Sequence, residues 1–405
     1  MASGQARGQE QGTSGERGAG PGIGIGPPGD DGSGLAGRPG PKAGDTIAAR
    51  FLAAGDHPPR DVVGWLADFI GRAERSLDLA FYDVNLGEEP AALLREALAS
   101  RLAAGVRVRL AYDAGDKPQG AAGVEERGVE PAPPATHERV AELGLPSAAV
   151  RAIAGTQALM HHKYVVRDGG AVWTGSLNLS NDALRRMDNA VLALASPRLA
   201  EYYARDFVQL WETGKVAETG AFPTRPVDLT YAGEPADVDV DFSPGQGQAI
   251  NALVADRVRA ARRRVVICSM LFTSSRLLGA LVDQLDRGGV AVSGVYDRTQ
   301  MAGVLDQWRE RSDLAWKVAA VERVVAEGGL VGKRSTPYRP GGVHDFLHAK
   351  TIVVDDVVMT GSHNFSHAAQ ANAENLLAIA SPALADRAVA FAERLAARYG
   401  PPGGG

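Results

Sequence analysis

One pattern occurs twice in this chain, and it limits the possible folds more than any other feature. The first copy reads His161-His162-Lys163-Tyr164-Val165-Val166-Arg167-Asp168, followed by Gly175-Ser176-Leu177-Asn178. The second reads His348-Ala349-Lys350-Thr351-Ile352-Val353-Val354-Asp355, followed by Gly361-Ser362-His363-Asn364. A single His-x-Lys is noise, but two long copies in matching contexts mark an internal duplication. The echo extends beyond the motifs. Val106 to Tyr112-Asp113 returns as Val290 to Tyr296-Asp297, and Ser196-Pro197 returns as Ser381-Pro382.

Each half also repeats one order of elements. Val62, Trp65, Leu66, Phe69 and Ile70 recur at helical spacing after Asp61, a good helix start. Residues 76–82 read as a strand, Leu93 to Leu102 as a helix and residues 106–113 as the next strand. The second half gives a helix over 249–261, a strand over 264–270, a helix over 277–285 and a strand over 290–297. Strand, helix, strand at this spacing predicts crossover units and α/β halves with parallel pairing. Residues 1–44 are rich in Gly, Pro and Ser and have no hydrophobic period, so a disordered tail is expected there. The halves are assigned to residues 45–225 and 226–400, with the joint between 213 and 244. Two stretches, 114–134 and 328–342, read as loops beside the motifs, where substrate choice often resides.

Composition narrows the class. The chain has 405 residues, 45% of them apolar and 22% charged, an ordinary globular balance. No apolar run approaches the ~18 residues of a membrane span, and Met1-Ala2-Ser3-Gly4-Gln5 lacks a signal-peptide pattern. A cytoplasmic protein is therefore expected. The one cysteine, Cys268, excludes an internal disulfide framework and reads as a small core residue. The net charge of −5 leans against a nucleic-acid binder.

Alternation in a strand puts His161 and Lys163 on one face, and likewise His348 and Lys350. His162 then faces the other way and reads as structural. Asp168-Gly169-Gly170 and Asp355-Asp356 are turn sequences, so each motif is a hairpin, with Asp168 and Asp355 holding the turn. The Gly-Ser bend brings Asn178 and Asn364 back beside the His-Lys pair. Asp188 and Glu374 each follow the motif asparagine by the same count and are candidates for orienting a histidine through its other ring nitrogen. Two histidines, two lysines and two asparagines suit a phosphodiester. One histidine attacks or takes a proton near neutral pH, the other protonates the leaving oxygen, and the remaining groups meet the phosphoryl charge without requiring a metal.

A lone histidine is usually an ordinary core or surface residue. Here six of the eight histidines (161, 162, 344, 348, 363 and 367) lie in or beside the motifs, which argues against chance. His344-Asp345-Phe346-Leu347-His348 is similar to a zinc-protease helix, but Gly341-Gly342 before it and the Val-rich strand after it argue against a helix.

These residues resemble the phospholipase D superfamily, whose signature is a duplicated His-x-Lys-x4-Asp with a following Gly-Ser-x-Asn. The match spans roughly residues 45–399, and the hairpin of the second copy is one residue shorter. The resemblance implies two similar α/β/α lobes from an internal duplication, with mixed sheets and the active site at their pseudo-twofold interface. It implies a two-step phosphohistidine mechanism with no cofactor or metal. On this pattern His161 is the nucleophile and His348 the general acid. Lys163, Lys350, Asn178 and Asn364 hold the phosphate, with Ser176 and Ser362 in support. The expected activity is phospholipase D-type hydrolysis or transphosphatidylation of a phospholipid at a membrane surface, with no obligate protein partner implied. The alternative within the same superfamily is a metal-independent nuclease acting on DNA or RNA.

Overall fold

The computed structural model describes residues 44–115, 136–154, 158–339 and 341–400. All but the last residue of the tail expected over residues 1–44, and most of the loop expected at 114–134, lie outside the described residues. The first half contributes β1 (Thr46–Leu52), β2 (Ser76–Phe81), β3 (Val84–Asn85), β4 (Arg107–Asp113), β5 (Val150–Ile153), β6 (Lys163–Arg167), β7 (Ala171–Gly175), β8 (Leu179–Ser180) and β9 (Asn189–Ala195). The second half contributes β10 (Val227–Tyr231), β11 (Glu234–Ser243), β12 (Arg264–Ser269), β13 (Ala291–Asp297), β14 (Leu330–Lys333), β15 (Lys350–Val354), β16 (Val357–Gly361) and β17 (Glu374–Ala380).

The halves share one sheet. Apart from the small β3-β8 pair, the strands join in the order β14-β13-β12-β15-β16-β17-β11-β10-β1-β9-β7-β6-β2-β4-β5. Reading inward from either edge gives the same sequence: three parallel strands, the antiparallel motif hairpin, then two more antiparallel strands. β10 fuses the halves, running parallel to β1 and antiparallel to β11. The duplication is therefore visible in the strand order, while the two expected sheets are one.

Period-two alternation divides the strand residues between two cores. Leu77, Leu79 and Phe81 of β2 join the core under helices Pro59–Gly71 and Glu88–Ala103. Ala80, with Tyr164 and Val166 of β6, joins the core under helix Pro197–Thr213. In the second half Val265 and Ile267 face helices Gly247–Arg259 and Ser275–Arg287. Val266 and Cys268 face the side of helix Pro382–Tyr399, so the cysteine is a core residue. Each core draws on both halves, giving the layered α/β/α form. The paired Ser-Pro signals open the two helices of the second layer. Ser196 and Ser381 cap them, each hydroxyl oxygen accepting an N–H (Leu199 or Leu384) at 3.4 Å, with proline in the first turn.

The stretch 328–342 is less of a loop than its Gly content suggested, since β14 occupies Leu330–Lys333 and adds a parallel edge strand. Helices Arg298–Arg309 and Ala315–Glu327 precede it. Among the described residues, no helix is long and apolar enough to cross a membrane.

Candidate active site

The site is built from the two motif hairpins, each fixed at both ends. At the turn, Asp168 and Asp355 take the left-handed conformation, with φ of 55° and 52°, a region that aspartate tolerates better than most residues. The Asp168 carboxylate accepts the backbone N–H groups of Glu74, Arg75 and Ser76 at 3.0, 2.7 and 2.9 Å. Asp355 accepts those of Arg262, Arg263 and Arg264 at 3.0, 2.8 and 3.2 Å. Partial burial pushes both carboxyls up, but these donors outweigh it and hold them below the ordinary carboxylate value. Each hairpin tip is thereby tied to the start of the neighbouring strand.

At the other end the chain enters each motif along an aspartate that sequence reasoning missed. Asp113 accepts the N–H of Met160 at 2.7 Å, and Asp297 that of Leu347 at 2.9 Å, one residue before each histidine. The repeated Tyr-Asp at the ends of β4 and β13 was the available signal. Across the halves, His161 N–H donates to the Ala373 carbonyl at 2.9 Å, and Asp188 N–H donates to the Phe346 carbonyl at 3.2 Å. Each histidine is therefore placed where the opposite half's post-motif strand begins.

The side chains meet across that line. His161 Nδ1 lies 2.8 Å from Glu374 Oε2, and His348 Nδ1 lies 3.1 Å from Asn189 Oδ1. Lys163 and Lys350 each donate to the carbonyl of their own motif histidine, at 2.6 and 2.8 Å. The histidines and lysines are all buried. The Tyr82 ring stands edge-on to His161, with centroids 4.8 Å apart, and Lys163 Nζ is 4.8 Å from the same ring. Tyr82 was legible only as a strand end. Asn178 and Asn364 are buried beside the motifs. Asn178 Oδ1 and both polar side-chain atoms of Asn364 lack hydrogen-bond partners among the described residues. Buried amides left in this state are sites a ligand would satisfy. Ser176 and Ser362 instead fasten the strands behind the histidines, their hydroxyl oxygens accepting the N–H groups of Ala190 and Asn375 at 3.0 Å each.

Burial first, then Lys163 and Lys350, hold His161 well below its ordinary value. Burial, then Lys350 and Lys163, do the same to His348. Burial pushes the Glu374 carboxyl up to about 8, against the pull of Lys163. Lys163 and Lys350 bring two buried positive charges to the centre, and Glu374 is the carboxyl on which both act. The centre is thus complementary to an anion, whose arrival would raise both histidines toward protonation.

Two expectations change. Asp188 orients no histidine: it accepts Lys333 Nζ at 2.8 Å, the Tyr399 hydroxyl at 3.0 Å and the Ala54 N–H at 2.9 Å. Strand register explains the shift. Gly175 pairs with Val191 while Gly361 pairs with Leu376, so the counterpart of Glu374 is Asn189, one residue beyond Asp188. The first half has one more residue in this connection, wound into helix Asn181–Arg185. Lys333, expected on a substrate loop, is buried in the Asp188 pair. His162 lies behind the site, with Nε2 3.0 Å from Asp206 Oδ2 and Nδ1 3.3 Å from Asn375 Nδ2. His344 and His348 share no helix, since residues 343–347 are irregular, so the zinc-protease arrangement is not formed.

Comparison with known proteins agrees with this geometry. A family profile described as "Cardiolipin synthase, PLD-like domain" matches residues 66–211 and 254–396. A phosphatidylserine synthase from Haemophilus influenzae Rd KW20 superposes with a TM-score of 0.57 at 16% identity, covering 87% of this chain and 86% of that one. A polyphosphate kinase from Porphyromonas gingivalis does so with a TM-score of 0.50 at 12% identity, over 86% of this chain and 46% of that one. The mitochondrial cardiolipin hydrolase of Xenopus laevis is 35% identical over 66 residues, 16% of this chain and 31% of that protein. The chain thus spans about a third of the curated relative it matches. With the family profile covering most of both halves, and the duplicated motifs meeting at one centre, the chain belongs to the phospholipase D-like family.

Proposed function

We propose that this enzyme cleaves a phospholipid phosphodiester through a phosphohistidine. The observation that carries the reading is the meeting of two buried histidines, each with a partner from the opposite half, beside two buried lysines. Glu374 accepts the Nδ1–H of His161, leaving the Nε2 lone pair to attack phosphorus. The bond from phosphorus to the leaving alcohol breaks, and His348 Nε2 gives that oxygen its proton. Neutral His348 then takes a proton from water, or from an added alcohol, whose oxygen attacks phosphorus and frees His161. Lys163, Lys350, Asn178 and Asn364 supply fixed donors for the non-bridging oxygens, which carry the growing charge. A lipid substrate is favoured by the family's description as cardiolipin synthase-like and by the name of the curated relative. The acidic net charge points the same way.

The test is turnover on phosphatidylcholine or cardiolipin vesicles, in chelator with ethanol present. Phosphatidic acid together with phosphatidylethanol is the expected product pair, because a covalent intermediate partitions between water and alcohol. A folded protein that leaves both lipids intact but cuts single-stranded DNA would replace this reading with the nuclease one.

A further inference from the structure

We propose that Asn189 is a positioning residue that makes His348 the acid, and that its pairing against Glu374 fixes which histidine becomes phosphorylated. The inference rests on the phosphohistidine reading above. Glu374 and Asn189 occupy matching posts at the starts of β17 and β9, and each meets the other half's histidine. Both are fully buried.

The Asn189 amide has one orientation. Its Nδ2 donates to the Ala183 carbonyl at 3.1 Å. Its Oδ1 accepts the Ser176 hydroxyl at 2.8 Å, and that hydroxyl oxygen in turn accepts the Ala190 N–H at 3.0 Å. An oxygen therefore faces His348, so Nδ1 of that ring carries the hydrogen and Nε2 is the end that turns toward the substrate. The same polarity holds at His161, where a carboxylate oxygen faces Nδ1. The two posts fix the same ring geometry and differ in charge.

That difference matters because the two rings change charge in opposite directions. Attack on phosphorus turns the nucleophile into an N-phosphoryl imidazolium, so that ring gains a positive charge. Donation to the leaving oxygen turns the acid from imidazolium to imidazole, so that ring loses one. A carboxylate stabilises a cation and an amide does so far less. Burial pushes the Glu374 carboxyl up to about 8, so the positive charge that appears on His161 is what draws it into the ionised form, which then stabilises that charge. Asn189 holds His348 in place without retaining its proton. With the roles exchanged, the cation would form against an amide and the proton would leave a carboxylate-held ring, and both changes raise the barrier. Besides burial, the other groups acting on His348 are Lys350 and Lys163, which oppose its protonation, and a backbone hydrogen bond at Ser176, which favours it. The two lysines outweigh that bond and so strengthen His348 as an acid once the anionic substrate has allowed it to protonate.

The experiment compares two vesicle lipids with one acyl part and different leaving groups, phosphatidylcholine and phosphatidyl-4-nitrophenol. An alkoxide needs a proton to leave and a nitrophenolate does not. Native enzyme and Asn189→Asp are assayed on both, and the native enzyme is also quenched in alkali for peptide mass spectrometry of the adduct. The expected adduct is on His161. Asn189→Asp, which holds the His348 proton more tightly, loses about 10- to 100-fold on phosphatidylcholine and less than about threefold on the nitrophenyl lipid. Equal losses on the two lipids would mean that Asn189 only supports the fold, and would overturn the assignment. An adduct on His348 in the native enzyme would overturn it with no variant needed. A folded native protein that neither turns over lipid nor forms an adduct would sink the phosphohistidine reading itself, and this one with it.

Discussion

The two ends of the motif hairpins diverge to different degrees. At the turn, Asp168 and Asp355 adopt one conformation and accept three consecutive N–H groups each. At the histidine end the halves part. Glu374 faces one ring and Asn189 the other. Tyr82, which packs on His161, has Met270 as its counterpart, since the N–H of each bonds to the equivalent carbonyl, His162 or Ala349. The duplication keeps what holds the hairpin and varies what surrounds the reacting rings. Two like histidines in like surroundings become base and acid only when a shared proton or the bound substrate makes them differ, whereas unlike neighbours separate them beforehand.

The largest expected effect breaks that symmetry directly. His161→Ala and His348→Ala should each lower phosphatidylcholine turnover by about a thousandfold or more. On the nitrophenyl lipid His348→Ala should recover much of its first-step rate and His161→Ala should not. Equal recovery in both would mean that the halves share the chemistry evenly. Next come the lysines. Lys163→Met and Lys350→Met should each cost about 10²- to 10³-fold in kcat/KM. Each removes a buried cation, so each should weaken the rise in melting temperature that added phosphate gives the native protein. A lysine variant that still responds fully to phosphate would show that the ammonium does not face the anion.

Asp188→Asn separates the post that partners a histidine from the one that does not. It leaves Lys333 buried without its carboxylate, a loss of about 3–5 kcal/mol in urea unfolding, while the folded enzyme should turn over lipid within about threefold of native. A large activity loss at unchanged stability would return Asp188 to the role that the residue count suggested.

That count shows how far the sequence could be read. The hairpins, the facing of His161 with Lys163, the turn role of Asp168 and Asp355, and the α/β order were legible because they follow from local period and turn chemistry. Glu374 was legible as a carboxylate that orients a histidine; that this histidine is His161, in the other half, was not. Its counterpart was misplaced by one residue, because register is fixed by hydrogen bonds such as Ser176 N–H to the Ala190 carbonyl, and spacing alone does not record the helix inserted before β9. The joining strands left a signal that went unused: Ala236, Val238, Val240 and Phe242 alternate with Asp237, Asp239 and Asp241. That pattern announces a half-buried strand. Its partners β10 and β17, and the pairing of β10 with β1 of the other half, are set by tertiary pairing, which no local pattern contains.

The smallest effect tests the end at which the halves agree. Asp168→Asn and Asp355→Asn should each lose about 1–2 kcal/mol near pH 7, since two or three charge-assisted bonds at an exposed turn are weakened but the hairpin remains paired. The dependence on pH has a definite sign. Both folded carboxyls lie below their ordinary value, so their contribution is complete above the unfolded value near ~4 and fades as pH falls through the folded one. The gap in urea midpoint between native and variant should therefore be flat from pH 7 to about 5 and narrow below that. The two variants should follow one curve, with turnover within about threefold of native. If one of them loses activity on the scale of the histidine variants while its partner does not, the turn ends have diverged as well, and that aspartate acts on the chemistry rather than on the hairpin.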